Sequence, residues 1–177
     1  MSETLYPVSA EVNGVSRTGQ VTARTSLVDW LREDLRLTGT HVGCEHGICG
    51  ACSVMLDGEP VRSCLMYAVQ AEGQTVETIE GLSETGVIAN IQKAFHERNA
   101  VQCGFCTSGM LITAYEILKA CENPSREEIR NALSGNYCRC TGYEAIVDAI
   151  QEAARMRSSQ VAQTGPGRGG DIKEIRA

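Results

Sequence analysis

Apolar and polar positions alternate at the start of the chain. Val8, Ala10 and Val12 fall on one side of an extended strand, Asn13-Gly14 follows, and a second extended run goes from about Val15 to Val21. Asn-Gly between alternating runs is a strong hairpin signal, because both residues tolerate the positive φ of a tight turn. The period then changes. Ser26 stands where a helix N-cap is expected, and Leu27, Trp30, Leu31 and Leu35 share one apolar face, with Trp30 in the core. Gly43 to Gly50 holds three glycines and two cysteines, too glycine-rich for a helix or a central strand, and is read as a loop. Cys52 to Leu56 is expected as a strand, Asp57-Gly58 as a turn and Val61 to Cys64 as the returning strand. A short helix is expected over Leu65 to Ala71, and a last strand over Thr75 to Ile79.

Helical spacing dominates afterwards. Val87, Ile88, Ile91 and Phe95 predict a helix over about Thr85 to Arg98, and a second runs over Met110 to Ala120, starting near Gly104. Asn123-Pro124-Ser125 breaks the pattern. Ser125 with Glu128 forms a capping box for a third helix, Arg126 to Leu133, which Gly135 stops. Thr141 is expected to cap a fourth helix carrying Tyr143, Ile146, Val147 and Ile150. The last twenty residues include Gly165-Pro166-Gly167-Arg168-Gly169-Gly170, a linker or tail composition. Strands with one helix, then two helix pairs, predict an α+β chain: a mixed domain over 1–80, a helical domain over 81–156 and a tail over 157–177.

Composition narrows the function. Among 177 residues, 42% are hydrophobic but only 5% aromatic, so two small halves lack large aromatic cores and need staples. Nine cysteines are the candidates, and the net charge of −6 argues against nucleic-acid binding. Neither a signal peptide nor a transmembrane run is evident. A soluble cytoplasmic protein is therefore expected, and in a reducing compartment dense cysteines point to metal rather than disulfides.

Cys44, Cys49, Cys52 and Cys64 read C-x4-C-x2-C-x11-C. The first three have the plant-type [2Fe–2S] spacing. Gly43, Gly47 and Gly50 can take positive φ and let bare backbone approach a cluster's sulfides. Zinc usually takes paired C-x2-C knuckles, which are missing here. Cys103, Cys106, Cys138 and Cys140 read C-x2-C, then C-x-C; by spacing alone this second set suits either an iron–sulfur cluster or zinc. Cys103 and Cys106 stand at the expected start of one helix and Cys138 and Cys140 just before another, and helix N-termini favour anionic ligands. Cys121 is left over as a free thiol, His46 as a bystander in the loop, and Tyr137 and Tyr143 as packing around the second set.

The segments 43–52, 62–64, 101–107 and 136–143 together resemble the two-cluster proteins of the xanthine oxidase family of molybdenum hydroxylases. They carry Gly43-Cys44-Glu45-His46-Gly47-Ile48-Cys49-Gly50-Ala51-Cys52, Arg62-Ser63-Cys64, Val101-Gln102-Cys103-Gly104-Phe105-Cys106-Thr107 and Asn136-Tyr137-Cys138-Arg139-Cys140-Thr141-Gly142-Tyr143. The resemblance spans about residues 5 to 156. It implies a ferredoxin-like β-grasp domain followed by a four-helix-bundle domain, each with a [2Fe–2S] cluster. It also implies a large subunit with molybdopterin, as the cytosine dinucleotide, a medium subunit with FAD, and a dimer of heterotrimers. Electrons would pass from molybdenum to the helical-domain cluster, to the plant-type cluster, and on to FAD. Gln102 and Cys140 would lie against the pterin. The loop from Gly43 to Gly50 would face the flavin and leave its cluster the less buried of the two. Family members act on aromatic N-heterocycles, carbon monoxide and aldehydes, and Glu45-His46 resembles those that hydroxylate N-heterocycles. This chain has no phosphate loop of its own and no catalytic dyad, so conduction is its expected role.

Overall fold

A computed structural model of the chain describes residues 3–163, with side chains as far as 159. Strands β1 (Leu5–Val12) and β2 (Val15–Thr22) form the expected hairpin, in register Val12 to Val15. Asn13 and Gly14 at φ 52° and 75° make the turn. Strands β3 (Ser53–Leu56) and β4 (Glu59–Arg62) form a second hairpin around Asp57-Gly58 at φ 48° and 84°. Strand β5 (Thr75–Glu77) runs parallel to β1 and antiparallel to β3 and so joins the two hairpins. The sheet order is β2-β1-β5-β3-β4.

Ser26 caps α1 (Leu27–Asp29) by accepting from the Asp29 N–H at 3.1 Å. The chain continues in a wider turn, Trp30–Asp34, whose end is set by Leu35 N–H donating to Trp30 O at 3.1 Å. Leu27, Trp30 and Leu31 pack with Val8, Ala10, Val12, Val54 and Val76 into the core of the sheet half. Where Leu65 to Ala71 was expected as one helix, two short turns occur, Ser63–Leu65 and Ala68–Ala71. Cys64 accordingly lies on the first of these turns, just past the end of β4.

The second half contains α2 (Ile79–Glu84), α3 (Ala89–Glu97), α4 (Thr107–Ala120), α5 (Arg126–Ala132) and α6 (Glu144–Gln163). The last four are the expected helices, and α2 is an addition. The strand expected to reach Ile79 stops at Glu77, because Thr78 turns into α2. The helix expected from Thr85 begins only at Ala89, because Gly86 at φ 75° breaks the chain, which leaves Val87 exposed. The Ser125–Glu128 capping box forms as expected. Helix α6 runs beyond residue 156 to Gln163, and the remainder of the expected tail lies outside the described residues.

Strand β3 joins the halves. Its side chains alternate, so Val54 enters the sheet core while Met55 enters the helical core with Met110, Ile112, Ile146 and Ile150. No helix among the described residues is long and apolar enough to cross a membrane.

Candidate metal centres

Eight of the nine cysteines gather into two sets of four. In the first set the loop before β3 brings Cys44 and Cys49 together, and the turn after β4 brings Cys64 to Cys52. Cys44 Sγ accepts the N–H groups of His46 and Cys49, each at 3.4 Å. With the Cys49 N–H the stronger, these donors pull the Cys44 thiol down to about 6. Burial, then the neighbouring Cys52 thiol, pushes Cys64 up to about 11. The loop has the tight backbone expected of it, with Gly47 and Gly50 at φ 77° and 73°. Gly43 does not share that conformation, and Glu45 does instead, at φ 54°. Gly43 matters for a different reason: a Cβ there would stand 3.1 Å from Cys49 Sγ, a tight contact on a ligand thiol. His46 is turned away, its ring against the Cys44 carbonyl.

In the second set Cys103 and Cys106 lie on the turn that opens α4, and Cys138 and Cys140 on the loop before α6. Cys140 Sγ is 3.6 Å from Cys103 Sγ. Cys106 pairs with Cys138; burial, then that partner, pushes Cys106 up to about 12. Burial works to raise Cys138 as well, but the Thr141 hydroxyl and N–H outweigh it and hold that thiol below its usual value. They donate to Cys138 Sγ at 3.1 and 3.4 Å. Thr141 therefore serves the thiol and the Tyr143 N–H (3.2 Å) rather than capping α6, which starts at Glu144. Tyr143 sits at φ 71°, uncommon for a bulky side chain. That conformation folds its ring back so that the hydroxyl accepts from Cys138 N–H at 2.9 Å and donates to Asn136 O at 3.1 Å. Tyr137, expected to pack, is exposed.

The donor sets fit [2Fe–2S] clusters. Among the described residues no group of three or more His, Cys, Asp or Glu side chains is arranged to hold a single metal ion. The thiols instead meet in pairs, 44 with 49, 52 with 64, 103 with 140 and 106 with 138. A tetrahedral zinc site brings all four sulfurs equally close, whereas two adjacent irons need two thiolates each. Cys121 is exposed and belongs to neither set.

Exposure reverses an expectation. Cys103 and Cys140 are exposed and Gln102 with them, whereas Cys52 is buried and Cys44, Cys49 and Cys64 are half-buried. The plant-type loop is the more covered because it lies under the turn before Cys138. A Cβ on Gly50 would meet Asn136 Nδ2 and Gly135 O, both at 2.6 Å, and one on Gly109 of α4 would overlap the Gly50 carbonyl. Tyr137 N–H donates to Cys49 O at 2.8 Å across this seam. Two residues there belong to the motif segments but carry no role in the sequence analysis. Arg62 donates to Ser53 Oγ, to Gly135 O at 2.9 Å and to Asn136 Oδ1 at 3.2 Å, and Asn136 Oδ1 also accepts from Thr113 at 3.0 Å. Their sequence signal is that each opens a motif segment, two residues before a cysteine.

Two family models match the chain, one over each cysteine set. Residues 10–82 match the 2Fe-2S iron-sulfur cluster binding domain, and residues 78–151 match the [2Fe-2S] binding domain. The caffeine dehydrogenase subunit gamma of Pseudomonas sp. (strain CBB1) is 53% identical over 152 residues, 84% of this chain and 91% of that protein. The nicotine 6-hydroxylase small subunit of Paenarthrobacter nicotinovorans is 51% identical over 146 residues, 82% of this chain and 88% of that one. Among solved structures, a chain of quinoline 2-oxidoreductase from Pseudomonas putida 86 superposes with a TM-score of 0.83 at 50% identity, covering 92% of this chain and 99% of that one. The protein belongs to the xanthine oxidase family of molybdenum hydroxylases, as an iron–sulfur subunit of an oxidoreductase complex.

Proposed function

We propose that the chain carries electrons through two [2Fe–2S] clusters, from a molybdopterin site in a large subunit to FAD in a medium subunit. The observation that carries this reading is the pairing of eight thiols into two four-sulfur sets, one in each matched 2Fe–2S domain. Cys44, Cys49, Cys52 and Cys64 hold the plant-type cluster, and Cys103, Cys106, Cys138 and Cys140 hold the other. When bound, the clusters supply one-electron oxidation and reduction. The chain fixes the ligands, aims N–H and O–H groups at Cys44 and Cys138, and thereby favours the reduced, more negative state.

Gln102 and Cys140 face the pterin, taken as the cytosine dinucleotide. Their exposure supports this, because a partner must reach that edge. The loop around Cys44 and Cys49 faces the flavin. The complex is a cytoplasmic dimer of heterotrimers. The substrate pocket lies in the large subunit, and the compounds named for the three relatives, caffeine, nicotine and quinoline, favour an aromatic N-heterocycle over carbon monoxide or an aldehyde.

Iron and acid-labile sulfide in anaerobically purified complex, with EPR after dithionite reduction, test the reading. Two [2Fe–2S] centres require about four irons and four sulfides per chain and two distinct signals. About two irons with zinc, or a single signal, would overturn it.

A further inference from the structure

The two sites meet at a seam in which one side chain bridges the start of β3 and the turn before Cys138. Arg62 leaves β4 two residues before Cys64. Its guanidinium reaches Ser53 on β3 and crosses to Gly135 O and Asn136 Oδ1, two residues before Cys138. Asn136 is 2% exposed. Since Arg62 can only donate, it fixes the orientation of the Asn136 amide: Oδ1 takes Arg62 and Thr113, and Nδ2 is turned toward Gly50. That Nδ2 is buried without a hydrogen-bond partner. A buried amide costs free energy when left half-paired, so such a group persists only where the surrounding contacts dictate its place.

What the seam aligns is a short bonded route. Cys49 is a thiol of the first set, and its carbonyl accepts the Tyr137 N–H at 2.8 Å. Tyr137 is peptide-bonded to Cys138, a thiol of the second set. The route from Cys49 Sγ to Cys138 Sγ is covalent throughout except at that single hydrogen bond. Electronic coupling decays faster across a gap than along bonds, so the rate depends on how well that one contact is kept.

We propose that Arg62 and Asn136 are positioning residues for electron transfer between the two clusters, holding the Cys49 carbonyl on the Tyr137 N–H. The inference rests on the two-cluster reading above. In the step itself one electron leaves the helical-domain cluster and one arrives at the plant-type cluster; no proton moves and no bond breaks.

The test uses the whole complex, wild type beside Arg62→Met, Arg62→Lys and Thr113→Val. Iron, sulfide and the two EPR signals are measured first, then the rate at which an electron from a reducing pulse equilibrates between the clusters. Arg62→Met is expected to keep both signals, weaken their spin–spin splitting and slow equilibration about tenfold or more, as for a step set by ångström-scale placement. Arg62→Lys, which keeps the charge and a donor, is expected to recover part of the rate. Thr113→Val, which lies on α4 and removes only the hydroxyl that donates to Asn136 Oδ1, is expected to slow it less. If Arg62→Met loses a cluster, the other two variants decide. Unchanged rates in variants with intact clusters overturn the inference and leave the electron-carrier reading standing. A wild type without two clusters overturns both.

Discussion

The two cysteine sets solve one problem with different backbones. The plant-type set is built by a loop wrapped on itself between a helical turn and a hairpin. Its thiols are acidified from within, as at Cys44, or pressed into the core, as at Cys52. The helical set is built by the approaches to two helices. Its inner pair, Cys106 and Cys138, is covered by Tyr143 and Thr141, while its outer pair, Cys103 and Cys140, lies open to solvent. The ligands of the first site are thus the more covered by the chain itself, while two ligands of the second stand exposed. Close packing on one side and openness on the other let one small subunit hold the two loops against each other and still leave one pair of thiols exposed.

The sharpest way to break this contrast is to add one methyl group to each loop. Gly50 and Gly142 both take positive φ, 73° and 66°. Gly50→Ala adds overlap with Asn136 and Gly135 to the backbone strain, whereas a Cβ on Gly142 meets nothing within 4 Å. Strain alone is worth about 1–2 kcal/mol, and overpacking adds about 1–3 kcal/mol. Urea unfolding should therefore show Gly50→Ala losing about 3 kcal/mol or more and Gly142→Ala only the strain. Equal losses would mean that the seam yields and the plant-type loop is no tighter than the other.

Ligand removal separates the sites chemically. Cys52→Ser is expected to abolish one reduced EPR signal and Cys106→Ser the other, with iron falling to about two per chain in each case. Loss of both signals from either substitution would show that the sites assemble as one unit. A smaller effect should follow from Tyr143→Phe, which keeps the ring but removes the hydroxyl that bonds Cys138 N–H and Asn136 O. Two part-buried hydrogen bonds correspond to about 1–3 kcal/mol, and the shift in midpoint potential should appear only in the helical-domain signal. A shift in both signals would mean that Tyr143 acts through the seam rather than on its own loop.

Those residues also mark what could be read from the chain. The hairpins were legible because Asn13-Gly14 and Asp57-Gly58 carry their turn geometry locally. So were the close-spaced cysteines, C-x4-C-x2-C, C-x2-C and C-x-C, because such spacing is a property of short segments. Helix α2 was not legible: Ile79–Glu84 is short, contains a glycine and is held in place by packing against α4. The Arg62–Asn136 bond joins residues 74 apart, and no periodicity reports such a contact. The greater exposure of the helical set was hidden for a similar reason. It depends on which loop lies over the other, and sequence spacing treats both loops alike.

The halves differ finally in how their elements are tied. Charged cross-links concentrate in the helical half, where Arg126 bonds Glu144 at 2.7 Å and also Asp148, Arg130 bonds Glu144 at 2.6 Å, and Arg98 bonds Glu152 at 2.6 Å. Arg130, then Arg126, holds the Glu144 carboxyl below its usual range, Arg126 does the same for Asp148, and Arg98, then Arg155, for Glu152. A carboxyl depressed in the folded state binds protons more readily when unfolded. Its stabilisation is therefore present above the unfolded value of about 4 and is lost as pH falls through the folded value. These pairs are exposed, so each effect is small and screened by salt. Glu144→Gln should lower the urea midpoint slightly at pH 7 in low salt. The gap to wild type should close as the pH drops below about 4, or at about 1 M salt. Comparing variant with wild type at each pH cancels any acid damage to the clusters common to both. A gap that survives both acid and salt would assign Glu144 to packing at the start of α6 instead of to charge.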